Sequence, residues 1–547
     1  MMSTAFKAFF SVIIALLYSV SYVVAGPMAD SQSFVFRKSM ILPFLICFVI
    51  CSAVNYLVFS FVPKLRFEKF EKRFSGAMER LGDRRFFFIV WAFIFVMWIP
   101  AFLILYPGVL SYDAISQTGS ALSVIDSNHH PVLHTFLIRV FMNFGQKCLS
   151  SYEVGIGFMS LLQMVILSYA LARLVLLLKV KKVPLLLVFV SALLSALWFT
   201  NAVLSVTMIK DTLHAAFLIL FVCHFTEIVT SPSEYVSHKI NYVLLPVVSF
   251  FMCAFRNNGL HIYLFCFAGL ALLRIARVKS VKSYAGLIAV ILLPVILFKL
   301  YSGPFFDAIG IKQGEVREAL SVPIQQLQRV SSLKYNELTE EQREIMRSYI
   351  IDCPAWMGYE NNRAYEPFCA DPAKSCFYSA YYESTSSDFW KFYLKTGAQF
   401  SKAYVEAFLS NSLGYWYPKH YPYSYVMYDN YEPEMFAVPL TRHSLLNVQW
   451  LKDCYYSFCL SDFWRDLPGV RFFFVPGFSL WIVLFSIVLS WTKKGYFTHA
   501  LPLLLPLIAQ FGIMILCPIA SFRYSWPLYL MLPIVLVTVF GKINSEE

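Results

Sequence analysis

Charge is what this chain has least of. Only 14% of its 547 residues are Asp, Glu, Lys or Arg, against 58% that are hydrophobic, whereas a soluble domain carries about 25% charged residues. That scarcity excludes a water-soluble globular protein. Internal repeats and low-complexity tracts are missing too, as are the short alternating segments of a membrane β-barrel. What recurs instead are apolar runs of about 20 residues, the length of helix that crosses a hydrocarbon core. The composition predicts an all-α polytopic membrane protein. Its net charge of +12 would suggest nucleic acid in a soluble protein, but here the basic residues gather in short loops between apolar runs. They report orientation, not a nucleic-acid partner.

Apolar runs at 5–25, 40–62, 86–106, 154–178, 184–205, 207–229, 241–255, 259–273, 284–302, 470–492, 498–517 and 520–540 give an expectation of about twelve spans. The first, which ends in Val-Val-Ala-Gly, reads as a signal anchor or a cleavable signal peptide, with the residues after it outside in either case. Alternation then places Lys64, Arg66, Lys69, Lys72, Arg73, Arg80, Arg84 and Arg85 on the cytoplasmic side. Lys179, Lys181, Lys182, Arg274, Arg277, Lys279, Lys282, Lys493 and Lys494 fall there as well, and Arg37 and Lys38 are the main exception. Residues 127–147, interrupted by Arg139, read as an interfacial helix. The expected organisation is a membrane region over 1–302 with an outer loop at 107–153, a mainly helical outer or periplasmic domain over 303–469, and a second membrane region over 470–547.

Within the polar segment, Val316, Leu320, Ile324, Leu327 and Val330 recur at helical spacing and predict an amphipathic helix. Thr339 with Gln342 forms a capping box that opens a second helix over 340–349. The stretch 415–431 is crowded with tyrosines and suits an aromatic belt or a platform on which a sugar stacks. Of the 12 cysteines, Cys148, Cys353, Cys369, Cys376, Cys454 and Cys459 fall in outer segments where disulfides can form, with the pairing left open. Cys47, Cys51, Cys223, Cys253, Cys266 and Cys517 lie in or beside spans and read as packing.

Superposed on this topology, the polar motifs meet at one membrane face. Tyr106, Asp113, Gln117, His129 and His130 lie in the outer loop that opens at the end of the third apolar run; Lys210 and Asp211 open an inward span; Arg256, Asn257 and Asn258 close an outward one; Arg523 and Tyr524 sit in the last outer turn. Ionisable groups at span ends are costly and tend to mark substrate sites. Lys210, Arg256 and Arg523 suit a phosphate at headgroup level, Asp113 suits a general base, and the remaining members suit substrate contact. A divalent metal on Asp113, His129 and His130 is the one cofactor the set suggests. Each member also has a plainer explanation: a solvated loop acid for Asp113, helix capping for the histidines, a snorkelling pair for Lys210 and Asp211, a stop-transfer charge for Arg256.

The loop with an early Asp113 followed by His130-Pro131-Val132-Leu133 resembles the first outer loop of the GT-C polytopic glycosyltransferases. The elements YPGVLSYDAISQ, HHPVLHT, Lys-Asp, Arg-Asn-Asn-Gly, SVPIQQLQRV and LTEEQ resemble, over about 86–540, an uncharacterised family of bacterial multi-pass proteins. The GT-C resemblance implies a polyprenyl-phosphate-sugar donor and the base role for Asp113. It departs from that pattern at Ala114, where an acidic partner often stands, and at Val132, where a second proline does. The expectation is a glycosyltransferase of a bacterial cytoplasmic membrane, its site facing the periplasm, that passes a sugar to an envelope glycan, lipid or protein. A transporter or flippase of lipid-linked sugar, an envelope-assembly scaffold and a histidine-dependent acyltransferase are the alternatives.

Overall fold

The computed structural model describes residues 3–274, 285–350, 364–419, 440–441, 443–491 and 499–542. Arg277, Lys279, Lys282, Cys353, Lys493, Lys494 and most of the tyrosine-rich stretch lie outside these. Among the described residues the chain is helical, with isolated β-bridges and no strand. It opens with α1 (Thr4–Ser31), α2 (Ile41–Phe61), α3 (Glu68–Ile104), α4 (Ala114–Leu122), α5 (Val132–Leu149), α6 (Tyr152–Val180), α7 (Leu185–Leu197), α8 (Phe199–Ser205) and α9 (Lys210–Thr230).

Seven helical stretches are long and apolar enough to cross a membrane, against the twelve expected: Thr4–Ser31, Lys38–Lys64, Glu68–Ile104, Tyr152–Val180, Lys210–Thr230, Gly286–Ala308 and Phe522–Phe540. The difference is one of helix length. The run 184–205 breaks at Trp198 into α7 and α8, bent by 52°. Four further runs form shorter helices, Asn241–Phe255, Asn258–Arg274, Pro476–Ser490 and Leu501–Met514. At 1.5 Å per residue, a helix of about 15 residues covers roughly 22 Å of a core about 30 Å thick.

Four of the long stretches run between the same two groups of residues. At one end, Lys179 pairs with Asp83, Lys181 Nζ donates to Ser231 Oγ at 3.2 Å, and Lys542 N donates to the Lys181 carbonyl at 2.9 Å. At the other, Val109 N donates to the Val206 carbonyl at 3.0 Å and Met208 N to the Val109 carbonyl at 2.9 Å. The bundle thus has a basic end and a second end where the loop before α4 is stitched to the start of α9. Trp98, Phe221, Phe225 and Trp526 are buried in the apolar core between them.

α5 does not stand apart. It folds back on α6 through Ser150, whose φ is 54°, and Ser151, whose Oγ accepts from Val154 N at 3.2 Å. The two helices cross at glycines: a Cβ on Gly155 would lie 2.3 Å from the Phe141 carbonyl oxygen, and one on Gly145 would lie 2.4 Å from Gly155 N. Backbones this close leave no room for a side chain at either glycine. Gly155→Val is expected to destabilise the protein by about 1–3 kcal/mol or more, the scale of overpacking, read as a lower melting temperature in detergent; an unchanged midpoint would show the crossing to be slack. Arg139, which interrupts the apolar pattern of α5, donates to the carbonyls of Ala121 at 2.8 Å and of Ser120 and Ser123 at 3.0 Å. It caps the C-terminus of α4.

The polar segment builds its own core. Leu320, Ile324, Leu327 and Val330 are buried together with Phe389 and Phe392, with Val316 packed against them. The spacing gave the right face, although the first turn, Val316–Leu320, is a 3-10 helix ahead of the α-helix Ser321–Leu333. The capping box forms: Gln342 N donates to Thr339 Oγ1 at 3.2 Å and Thr339 N to Gln342 Oε1 at 3.0 Å, opening Glu340–Tyr349. A buried ion pair, Arg329–Glu406 at 2.8 Å, ties this segment to the chain after α1, because Glu406 also accepts from Phe34 N at 2.9 Å and Arg329 donates to the Gln32 carbonyl at 2.6 Å. Cys376 is disulfide-bonded, while Cys148, Cys369, Cys454 and Cys459 are free. Tyr415 and Trp416 are buried, so the described start of the tyrosine-rich stretch is packing and not a platform.

Candidate functional site

Asp113 occupies the position that caps α4, but its side chain caps nothing. Its Oδ2 accepts instead from Lys210 Nζ at 2.7 Å and from an Arg523 terminal nitrogen at 3.1 Å. Neither cation engages Oδ1, and the side chain is 27% exposed. Three sequence-distant pieces of chain hold this geometry. The bridge between Val109 and Thr207 sets the loop against the first turn of α9. Tyr112 bends the backbone at a φ of 55°, and its ring lies under the Arg523 guanidinium at 4.5 Å.

Beneath this pair lies a second. Asp211, with no exposed surface, pairs with Arg256 and lies 4.0 Å from Arg523. The Tyr524 ring packs against both guanidinium groups, at 4.5 Å for Arg256 and 4.7 Å for Arg523, and its hydroxyl accepts from Arg523 at 2.8 Å. Two carboxylates and three cations therefore interlock with one positive charge in excess. Asp113 and Lys210 are the most exposed members, at 27% and 15% of their side chains, against 11% for Arg256 and 7% for Arg523.

His130 completes the upper layer. Its Nδ1 is 3.4 Å from Lys210 Nζ, and its Nε2 is 3.2 Å from Ser116 Oγ. Burial, then the Lys210 charge, push its imidazole down to about 3, which keeps it neutral at pH 7. For Asp113, burial alone would raise the carboxyl, but Lys210 and Arg523 outweigh it and hold the group well below the usual carboxylate range. It is ionised throughout the physiological range.

The polar segment steadies both flanks. Asn128 N donates to the Lys312 carbonyl at 2.9 Å and its amide to Gln313 Oε1 at 2.7 Å, immediately before His129 and His130. Tyr415 OH donates to the Ile519 carbonyl at 3.1 Å and the Asn411 amide to that of Cys517 at 2.9 Å, immediately before Arg523. Nothing local in the sequence pairs these positions.

Of the residues singled out from sequence, Asp113, His130, Lys210, Asp211, Arg256, Arg523 and Tyr524 come together. Gln117 does not join them, since its amide nitrogen donates to Thr135 Oγ1 at 3.1 Å inside the α4–α5 contact. Tyr106 packs on Phe102 and Gly157 instead of facing the ions. Asn257 and Asn258 make no side-chain hydrogen bond among the described residues; they are the turn between two helices. His129 reaches the site only as a ring edge against His130, 4.6 Å between centroids. The structure adds Tyr112 and Ser116. Ser116 was within reach of sequence reasoning, three residues after Asp113 and so on the same side of a helix; the left-handed Tyr112 was not.

The donor set does not fit a metal ion. No group of three His, Cys, Asp or Glu able to hold one occurs among the described residues, and a cation between Asp113 and His130 would meet the Lys210 ammonium that both already face. The suggestion of a metal on Asp113, His129 and His130 is accordingly dropped. A second correction concerns one-sidedness. Arg173 on α6 and Glu227 on α9 pair at 3.3 Å with about 30% and 27% of each side chain exposed, near the basic end, so ionisable residues in the spans are not confined to one end.

The model of a family of unknown function, DUF6020, matches residues 123–547. The chain belongs to that family. No curated protein and no solved structure matches it. The DUF6020 match takes in His130, Lys210, Asp211, Arg256, Arg523 and Tyr524, while Asp113 stands ten residues ahead of its start.

Proposed function

We propose that this protein is a membrane glycosyltransferase that moves a sugar from a polyprenyl-phosphate donor to a hydroxyl of an envelope glycan, lipid or protein. The observation that carries this is Asp113 held by Lys210 and Arg523 beside a neutral His130, at the end of the helices opposite the basic loops. In this reading all twelve apolar stretches, bent and short ones included, lie in a bacterial cytoplasmic membrane as in the GT-C enzymes. The basic end is then cytoplasmic and the site periplasmic. With an exposed cysteine placed at Lys391 or at Arg80 in a background lacking Cys148, a membrane-impermeant thiol reagent applied from outside is expected to label the first and spare the second; the reverse result overturns the orientation.

The ion cluster suits the two demands of the reaction. An arriving donor phosphate competes with Asp113 for Lys210 and Arg523, so binding draws the cations off the carboxylate. Freed of them, Asp113 recovers basicity toward the ordinary value of about 3.9 and accepts the proton of the acceptor hydroxyl. The hydroxyl oxygen bonds to the sugar's anomeric carbon, the bond from that carbon to the phosphate oxygen breaks, and the phosphate leaves with the electron pair. Lys210 and Arg523 stabilise it. Asp211, which has no exposed surface, holds Arg256 and Arg523 in place.

Lys210→Met is expected to weaken donor binding by about 1.5–3 kcal/mol, the worth of a hydrogen bond to a charged group, measured on purified protein with a lipid-phosphate sugar. Unchanged affinity would place the phosphate elsewhere. The test of the function itself is mass spectrometry of envelope polysaccharides from cells with and without the gene: a missing sugar supports transfer. The Arg173–Glu227 pair favours one second reading, a transporter of the lipid-linked sugar, which predicts that unflipped donor accumulates while transfer persists in permeabilised cells.

A further inference from the structure

A cavity of about 970 Å³ lies not at the ion cluster but at the basic end, where the start of α1, the ends of α2 and α6, the start of α3 and the end of the helix Pro533–Phe540 meet. Five cations line it, Lys7, Lys64, Arg66, Lys179 and Lys182, and all but Lys179 have no ion-pair partner among the described residues. Its other charges are largely spoken for: Lys179 pairs with Asp83, and Glu71 accepts from Leu185 N at 2.5 Å. Glu68 and Glu79 remain, and Glu71 keeps its charge because a backbone N–H is neutral, so the unpaired charge facing the cavity is positive by one. The rest of the wall is apolar, with Phe59, Met78 and Val183 among it.

Its surroundings bear on what fills it. α3 is two helices joined at Gly82, where φ is 69°, so the stretch 68–81 turns away from the span that follows. Lys69, Lys72 and Arg73 on that stretch are exposed. On the other flank Leu57, Phe61 and Leu65 are 51%, 60% and 47% exposed at the end of α2, apolar surface suited to acyl chains. A basic amphipathic helix beside a span and lipid-facing apolar residues together bracket headgroup depth.

We propose that this cavity binds the headgroup of an anionic phospholipid, with Lys64, Arg66 and Lys182 on its phosphate and its acyl chains along Leu57 and Phe61. The site clamps α2, the α3 amphipathic stretch and the loop after α6 to one another. It stands apart from the proposed transfer chemistry and does not depend on it.

The experiment is native mass spectrometry of the full-length protein in detergent, titrated with phosphatidylglycerol or phosphatidylcholine, with melting temperatures followed in parallel. Wild type is expected to bind phosphatidylglycerol about 100-fold more tightly and to be stabilised by it alone, the scale of three basic contacts at roughly 1 kcal/mol each. The Lys64→Gln/Arg66→Gln/Lys182→Gln variant is expected to lose that preference. Ser75→Trp, which fills the cavity without altering charge, is expected to lose it too and serves if the triple variant fails to fold. Equal affinity of wild type for the two lipids overturns the proposal, as does a preference that survives in the folded variants. Stabilisation reproduced by inorganic phosphate alone overturns it in favour of a free-anion site.

Discussion

Replacing Asp113 with asparagine is expected to lower sugar transfer by about a hundred- to ten-thousand-fold, the usual contribution of a general base, in cells or with purified protein. The substitution keeps the size and shape of the side chain. It is not neutral for stability, since Oδ2 anchors both Lys210 and Arg523. Partial exposure of Asp113 discounts those bonds, and a loss of about 1–3 kcal/mol is expected. The pH dependence has a definite sign. Because the folded carboxyl titrates below its unfolded value, its stabilisation is complete above about pH 4 and fades as pH falls through the folded value. The melting difference between wild type and Asp113→Asn is therefore expected to stay constant from pH 8 to 5 and to shrink only in stronger acid. Full transfer by the variant would remove Asp113 from the chemistry; a difference that shrinks already at neutral pH would contradict the ion pairing.

Asp211→Ala is expected to be the most damaging change for folding, at about 3–5 kcal/mol, because it leaves the Arg256 guanidinium without its counter-charge. Asp211 has no exposed side-chain surface, and Arg256 beside it is 11% exposed. Removing a partner from such a pair costs more than removing both, so Asp211→Ala/Arg256→Met is expected to recover part of the loss. Melting temperature and yield of monodisperse protein in detergent provide the readout. If Asp211→Ala folds like wild type yet binds donor poorly, Asp211 is a substrate contact and not a buried strut. The distinction matters for Arg256, which packs between Asp211 and the Tyr524 ring.

The sequence by itself determined the elements whose cause is local. Apolar runs made helices because an unpaired backbone cannot lie in hydrocarbon. The Thr339–Gln342 box opened its helix within one residue because both partners of each hydrogen bond lie three residues apart. The apolar face from Leu320 to Val330 followed from helical periodicity. Even the meeting of Asp113, Lys210, Arg256 and Arg523 was legible, because a chain that crosses back and forth returns alternate helix ends to the same face. Only the tertiary structure decided what those ends do there. Whether Lys210 turns to Asp113 or snorkels depends on the bridge between Val109 and Thr207, and whether Arg256 meets Asp211 depends on a crossing of helices far apart in sequence. The number of long spans was likewise decided by breaks, since hydropathy sums over a window while a bend such as that at Trp198 is set by packing. Gln117, Tyr106, Asn257 and Asn258 have the chemistry for a site, but side-chain direction is fixed by neighbours that a linear pattern does not contain.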